Sequence, residues 1–262
     1  TGATGVNIIS TNSGRKSPET SISLSSSYGS SSIATSMHRL LDINSYTEYF
    51  WESYRNREVY ENNNSPEVAA TLASNNLVSS LGYNPYGVDQ PVNNQGSLVA
   101  SPNWNTDWKK AIINENAYKV QHGVSVSGGS DKTSFYFGSN YLREEGQVKT
   151  TYFERIATRL KVNTQVKDFI ETGLNISFTS SKQNSPNQSG SAFSNSIQWI
   201  YSLPNYYPLY RRNNNGELIS QNGQDFILDY GGNNLQTVNG VRPAFSGENA
   251  YGAIINLSLI HI

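Results

Sequence analysis

The chain has 262 residues with 19 basic and 20 acidic side chains, a near-neutral balance that lacks the clustered basic excess of a nucleic-acid surface. It has no Cys and three widely separated His (His38, His122, His261), which argues against a disulfide framework, a thiolate site or a His-based zinc site. No apolar run approaches the ~20 residues of a membrane-spanning helix, so any membrane crossing falls to strands.

The opening TGATGVNIISTNSG has neither a basic n-region nor an apolar h-region and reads as the middle of a longer fold. TSISLSSSY then alternates Ile22, Leu24 and Tyr28 with Ser21, Ser23, Ser25 and Ser27, the period of a strand with one apolar face. A long connection follows, from Gly29 to roughly Lys119. Within it Ser45-Tyr-Thr-Glu48 has the form of a capping box ahead of Tyr49, Phe50 and Tyr54 at helical spacing. Ser65-Pro66-Glu67 opens a second helix that runs to Gly82 as its C-cap. Turn chemistry in NPYG and GVDQP precedes a short helix in NWNTDWKKAIINEN.

Four more alternating segments follow. VQHGVSVSG sets Val120, His122, Val124 and Val126 against Gln121, Gly123, Ser125 and Ser127. TSFYFGSNYL sets Phe135, Phe137 and Tyr141 against Ser134, Gly138 and Asn140. ERIATRLKVN sets Ile156, Leu160 and Val162 against Arg155, Arg159, Lys161 and Asn163. FIETGLNISFTS sets Ile170, Leu174, Ile176 and Phe178 against Glu171, Gly173, Asn175, Ser177 and Thr179. The last long connection, from Ser181 to about Ala250, is rich in Asn, Gly and Gln, with aromatic residues at Trp199, Tyr201, Tyr206, Tyr207 and Tyr210. Such rings beside amides suit either sugar stacking or packing of the loops, and Trp199, Tyr201, Tyr206 and Tyr207 are the candidate substrate contacts.

Alternation alone fits two architectures. In a soluble sandwich the apolar faces meet one another. In a transmembrane barrel they meet lipid while the polar faces line a wet lumen. The connections favour the barrel. GGSDK and TQVKD are tight turns, REEGQVKT is of medium length, and the two alternate connections are long. Short turns at one end and long loops at the other is the outer-membrane arrangement, and a compact soluble domain rarely holds two connections of that length. A sixth strand is expected from about Ala250.

These segments, in this order, resemble the SusC/RagA family of TonB-linked outer-membrane transporters. Gly2, Ala3, Gly5, Val6, Ile8 and Ile9 match the end of that family's plug domain, while Asn7 and Ser10 depart from its commonest form. ETSISLSSSYG resembles its first barrel strand, and NTDWKKAI the segment before the second, although Lys109 and Lys110 replace polar or acidic residues. VSVSGGSDKTSFYFGSNYLREEGQVKTTYFERIATRLKVN is the most specific match, and YYPLYRRNNNGEL resembles a family loop element. The resemblance implies an all-β fold, a partial transmembrane antiparallel barrel holding about six of about 22 strands with helical and irregular extracellular loops. Residues 1–16 would be the end of the plug and 17–262 the N-terminal part of the barrel. It further implies an outer-membrane location in contact with lipid, TonB-powered import of oligosaccharides or peptides, a SusD-like surface lipoprotein partner and no cofactor. The closing LSLIHI fits either a truncated strand or translated adapter sequence.

No catalytic constellation accompanies these features. GGSDKT fails the phosphate-loop pattern because Asp131 stands where Gly is required. No G-x-S-x-G elbow occurs, and neither Glu144–Glu145 nor Asp225/Asp229 is placed across a scissile bond. The rival expectation is a soluble or surface glycan-binding β-sandwich adhesin, with Trp199 and its Tyr neighbours as the sugar platform.

Overall fold

The computed structural model describes residues 14, 17–34, 38, 40–186, 195–213, 216–221, 224–232 and 242–255. The plug remnant predicted at 1–16, apart from residue 14, and the closing 256–262 lie outside the described residues. The chain divides into a sheet unit (Thr1–Ile33 and Glu115–Ser185) and a helical unit (Ala34–Asn114 and Pro186–Ile262).

The sheet unit is a five-stranded antiparallel meander, β1 (Ser21–Ser31), β2 (Ala117–Gly129), β3 (Thr133–Glu145), β4 (Tyr152–Lys167) and β5 (Ile170–Asn184), each strand paired with its sequence neighbours. It is open. All five predicted alternations become strands, and each is longer than its clean alternation, as with Gly29–Ser31 in β1 and Ser181–Asn184 in β5. β2 and β3 close through Ser130, whose amide donates to the Thr133 carbonyl at 2.7 Å while its hydroxyl accepts from the Thr133 amide at 3.2 Å. β4 and β5 close through Asp168 and Phe169, next to an irregularity in register between Gln165 and Lys167. The β3–β4 link is pinned by the Gly146 amide on the Thr151 carbonyl at 3.0 Å, with Thr150 at φ 66°.

The helical unit contains α1 (Ile43–Tyr60), α2 (Pro66–Leu81), α3 (Trp108–Ile112) and α4 (Ser196–Ser202). It also holds a short ribbon of β6 (Ser220–Gln221) and β7 (Gln224–Phe226), and α5 (Ala250–Ile255). α2 begins and ends as its residues dictate: the Ser65 hydroxyl accepts from the Val68 amide, Pro66 fills the first turn, and Gly82 takes the left-handed cap at φ 77°. α1 starts earlier than its Ser45–Glu48 pattern suggests. Asp42 is the N-cap, accepting from the Asn44 and Ser45 amides at 3.0 Å, so Ser45 lies inside the first turn.

A second correction concerns the sixth strand. From Ala250 the chain turns into α5, because the Asn249 side-chain oxygen accepts from the Gly252 amide at 3.0 Å and its carbonyl accepts from the Ala253 amide at 2.8 Å. That is an N-terminal cap, and capping chemistry overrides the β-branched residues that follow. Among the described residues the large sheet therefore has five strands.

Trp51 of α1 anchors the two long helices. Its ring is buried, as are the small residues Ala69, Ala70 and Ala73 of α2, and its indole N–H donates to the Ser74 hydroxyl at 2.9 Å. The loop 91–99 closes over the same ring at Gly96, where φ is 83° and a Cβ would meet Trp51 at 2.9 Å. Only glycine meets both conditions.

Candidate functional site

The register aligns the strands into rows, and the rows give the two faces of the sheet opposite chemistry. On one face Ile22, Val126, Phe137, Leu160 and Ile176 stand abreast across all five strands. The flanking row toward the tight turns holds Phe135, Val162 and Leu174, and the one on the other side holds Leu24, Val124 and Phe178. This face is not the inside of a sandwich core, for Leu24 is 78% and Phe178 62% exposed. Ser139 and Thr158, which interrupt this last row, are satisfied by each other at 3.0 Å.

Polar rows bound the apolar band at both ends. Near the tight turns Thr133, Thr164 and Thr172 align, the first two hydrogen-bonded at 2.7 Å. Near the long connections Arg143, Glu154 and Lys182 align, with Arg143 bonded to Glu154 at 3.3 Å and its guanidinium 4.9 Å from the Tyr152 ring. Tyr28 and Tyr118 stack beside them at 6.5 Å. Ten residues of β3 separate the two boundaries, about 33 Å of strand at ~3.3 Å per residue. A strand tilted by ~40° would convert this to about 25 Å of height, the thickness of an outer-membrane apolar belt. His122 lies just inside the aromatic boundary, bonded to the Ser26 hydroxyl at 3.0 Å and stacked on Tyr141.

The opposite face is built of hydroxyls, amides and glycines. Ser23, Ser125, Gly138, Arg159 and Ser177 form one row, and Ser21, Ser127, Tyr136, Lys161 and Asn175 the next. Arg159 donates from Nε to the Asn175 side-chain oxygen at 3.2 Å, and Lys119 pairs with Glu144 at 2.9 Å. Tyr136 is the residue that the alternation did not single out. Its ring lies over Gly138, where a Cβ would meet the ring carbons at 3.1 Å, so the glycine lets the tyrosine lie flat on the sheet.

The four aromatic candidates lie in the helical unit. Trp199 (1% exposed), Tyr206 and Tyr207 are buried, whereas Tyr201, on α4, is 44% exposed. Trp199 meets Phe245 edge-on at 5.7 Å, and Tyr206 meets Tyr207 at 5.0 Å and Tyr46 at 5.4 Å. The Trp104 indole donates to the Tyr206 carbonyl at 2.9 Å, which ties the segment before α3 to the segment after α4. Burial, reinforced by Tyr207 and Tyr46, pushes the Tyr206 hydroxyl well above its usual range and keeps it neutral. Of the four, Tyr201 offers its ring to solvent, while the other three hold the unit together.

A buried ion pair organises the same unit. Arg242 and Asp229 have no side-chain exposure and meet at 2.7 Å, and Arg242 also donates from Nε to the Tyr83 hydroxyl at 3.1 Å. Tyr83 in turn donates to Asp229 at 2.6 Å. Burial, the largest influence, raises the Tyr83 pKa far above the ordinary phenol value. Burial also opposes the Arg242 charge, but Tyr83 and Asp229 outweigh it and strengthen protonation. No local motif announces this trio, since Tyr83 lies 146 residues from Asp229. Among the described residues, no group of three His, Cys, Asp or Glu is arranged to hold a metal ion.

No family model matches the chain. It is 35% identical over 83 residues to TonB-dependent receptor P39 of Formosa agariphila, a match covering 32% of this chain and 8% of that receptor. It is 28% identical over 90 residues to TonB-dependent receptor P26 of the same organism, covering 32% of this chain and 9% of that one. In fold it resembles the RagAB peptide importer in its closed-closed and open-open states, with a TM-score of 0.52 to each and identities of 20% and 19%. Those likenesses cover 83% of this chain and 24% of the importer chain. The chain thus spans a small part of the proteins it matches, and those proteins are named as receptors and an importer rather than as enzymes. The chain is therefore similar in sequence to TonB-dependent receptors over about a third of its length, and in fold to part of the RagAB importer.

Proposed function

We propose that this chain forms the early strands of the barrel of a TonB-dependent outer-membrane transporter, with its apolar face in lipid and its polar face along the substrate path. One observation carries the reading. The register stacks an exposed apolar band between a threonine row and an arginine–glutamate–lysine row at the spacing of a bilayer core. A soluble sandwich requires no such bounded band.

In this reading residues 17–262 contribute to a barrel of about 22 strands, completed by strands of the rest of the protein, and 1–16 end the plug inside it. The open sheet edges demand such completion, because unpaired backbone groups in lipid cost several kcal/mol each. The helical unit forms extracellular loops, where a SusD-like lipoprotein would close over captured substrate and Tyr201 would be available to it. The cargo is an oligosaccharide or a peptide, and import draws on the inner-membrane TonB complex. Uptake by cells tests this. A strain with the full-length gene should take up labelled oligosaccharide or peptide, and lose that uptake when either this gene or TonB is deleted. Uptake that persists in both deletions, or no uptake of either class by the intact strain, would contradict the assignment.

A further inference from the structure

The polar face of the sheet carries a charge imbalance that nothing in the sheet resolves. Arg155, Arg159 and Lys161 lie on this one face of β4. Their cross-strand neighbours are Leu142 and Ser181, Gly138 and Ser177, and Tyr136 and Asn175, with no carboxylate among them. Among the described residues none of the three forms an ion pair, whereas Lys119 and Arg143 both do. By sequence the sheet unit holds 11 basic and 8 acidic residues, while the helical unit holds 8 and 12. Arg159 and Lys161 are two residues apart on one face, roughly 7 Å along the strand, so an anion seated between them would meet both charges.

The surroundings indicate what kind of anion. Tyr136 is the direct cross-strand partner of Lys161, and Gly138, over which its ring lies, is the partner of Arg159. A flat, half-buried aromatic surface is thus flanked by a guanidinium and an ammonium, with Asn175 holding the guanidinium through its Nε. The rest of the face offers serine hydroxyls and amides, and few apolar side chains to receive those of a peptide. A ring face for a pyranose, cations for a carboxylate and hydroxyl partners for a polyol are together the recognition chemistry of an acidic sugar.

We propose that Tyr136, Arg159 and Lys161 form a subsite for a carboxylate-bearing oligosaccharide, with Arg155 extending the basic track along β4. The inference rests on the reading of this face as the substrate path, and it deepens that reading by naming the substrate class. The sugar ring stacks on Tyr136 while its carboxylate bridges Arg159 and Lys161.

Isothermal titration of the purified full-length receptor in detergent micelles, with tetragalacturonate, maltotetraose and tetraglutamate as probes, tests it. The expected result is tetragalacturonate binding at least ten-fold tighter than either of the others, and weakened between 50 and 300 mM salt. Arg159→Gln combined with Lys161→Gln should lose at least ten-fold for tetragalacturonate, and Tyr136→Ala should lose affinity where Tyr136→Phe keeps it. Should the double variant fail to fold, the salt dependence of the unaltered receptor reads the same electrostatics. Equal affinity for maltotetraose, binding of tetraglutamate as tight as that of the sugar acid, or affinity unchanged by salt or by the substitutions would overturn the proposal. Absence of tetragalacturonate binding by a receptor that still imports other cargo in a TonB-dependent manner overturns this subsite alone. Failure of the apolar face to meet lipid overturns both readings.

Discussion

Placing an arginine on the apolar face probes the depth of each row in the bilayer. Leu160 lies four residues from the Thr164 boundary and six from the Glu154 boundary, on the same face as both. With ~3.3 Å per residue and a ~40° tilt, it sits about 10 Å from one edge of the belt and about 15 Å from the other. An arginine near the midplane of an outer-membrane barrel costs about 2–4 kcal/mol, falling to about 0–1 kcal/mol near the interfaces. Leu160→Arg should therefore shift the folding equilibrium of the full-length receptor in lipid vesicles by roughly 30- to 1000-fold, at 1.4 kcal/mol per ten-fold. Ile156→Arg, only two residues from the Glu154 row, should shift it by less than about ten-fold. Denaturant titration of the reconstituted receptor, with the folded fraction read from heat-modifiable gel mobility, measures both. Equal costs at the two positions would refute the depth assignment, as would a negligible cost at Leu160.

The remaining predictions concern the helical unit. Asp229→Leu or Arg242→Leu alone should destabilise it by about 3–5 kcal/mol, because each strands a buried charge, and the double replacement should cost less than the sum; hydrogen exchange in 224–232 and 242–255 reads this. Trp199→Ala should cost about 3–5 kcal/mol by opening a cavity, whereas Tyr201→Ala should stay within about 0.5 kcal/mol, as thermal denaturation of the two variants will show. Hydrogen bonds from the Ser45 backbone and side chain hold the Asp42 carboxyl below its ordinary value of 3.8. A depressed folded pKa stabilises above the ordinary value and loses that contribution as pH falls through the folded one. The first-turn amides of α1 should accordingly lose protection at pH 3 relative to pH 6, and Asp42→Ala should abolish that difference.

The strands were legible because a period of two is a strong local signal. Ile22, Leu24, Val124, Val126, Leu160 and Ile176 all lie on the face that their alternation assigns them. The rows were not legible, since register depends on pairings between strands such as Ile22 with Val126, which lie 104 residues apart. Helix ends were half legible. Ser65, Pro66 and Gly82 act locally and are legible as caps, but Asp42 outcompetes Ser45 for the start of α1. α5 escaped because AYGAII carries β-branched residues that suit a strand, and the Asn249 cap decides otherwise. The aromatic candidates show the limit most clearly. Composition marks Trp199, Tyr206 and Tyr207 as suited to either ligand or core, and only tertiary packing against Phe245, Tyr46 and Tyr83 separates them from Tyr201.

Electron paramagnetic resonance of single nitroxide labels on the full-length receptor in lipid vesicles tests the membrane assignment most directly. Labels at Leu24, Val124, Leu160 and Leu174 should collide with oxygen dissolved in the lipid, and those at Ser25, Ser125, Lys161 and Asn175 with a water-soluble nickel chelate. Equal chelate access to both sets, or alternation in the opposite sense, would contradict the account.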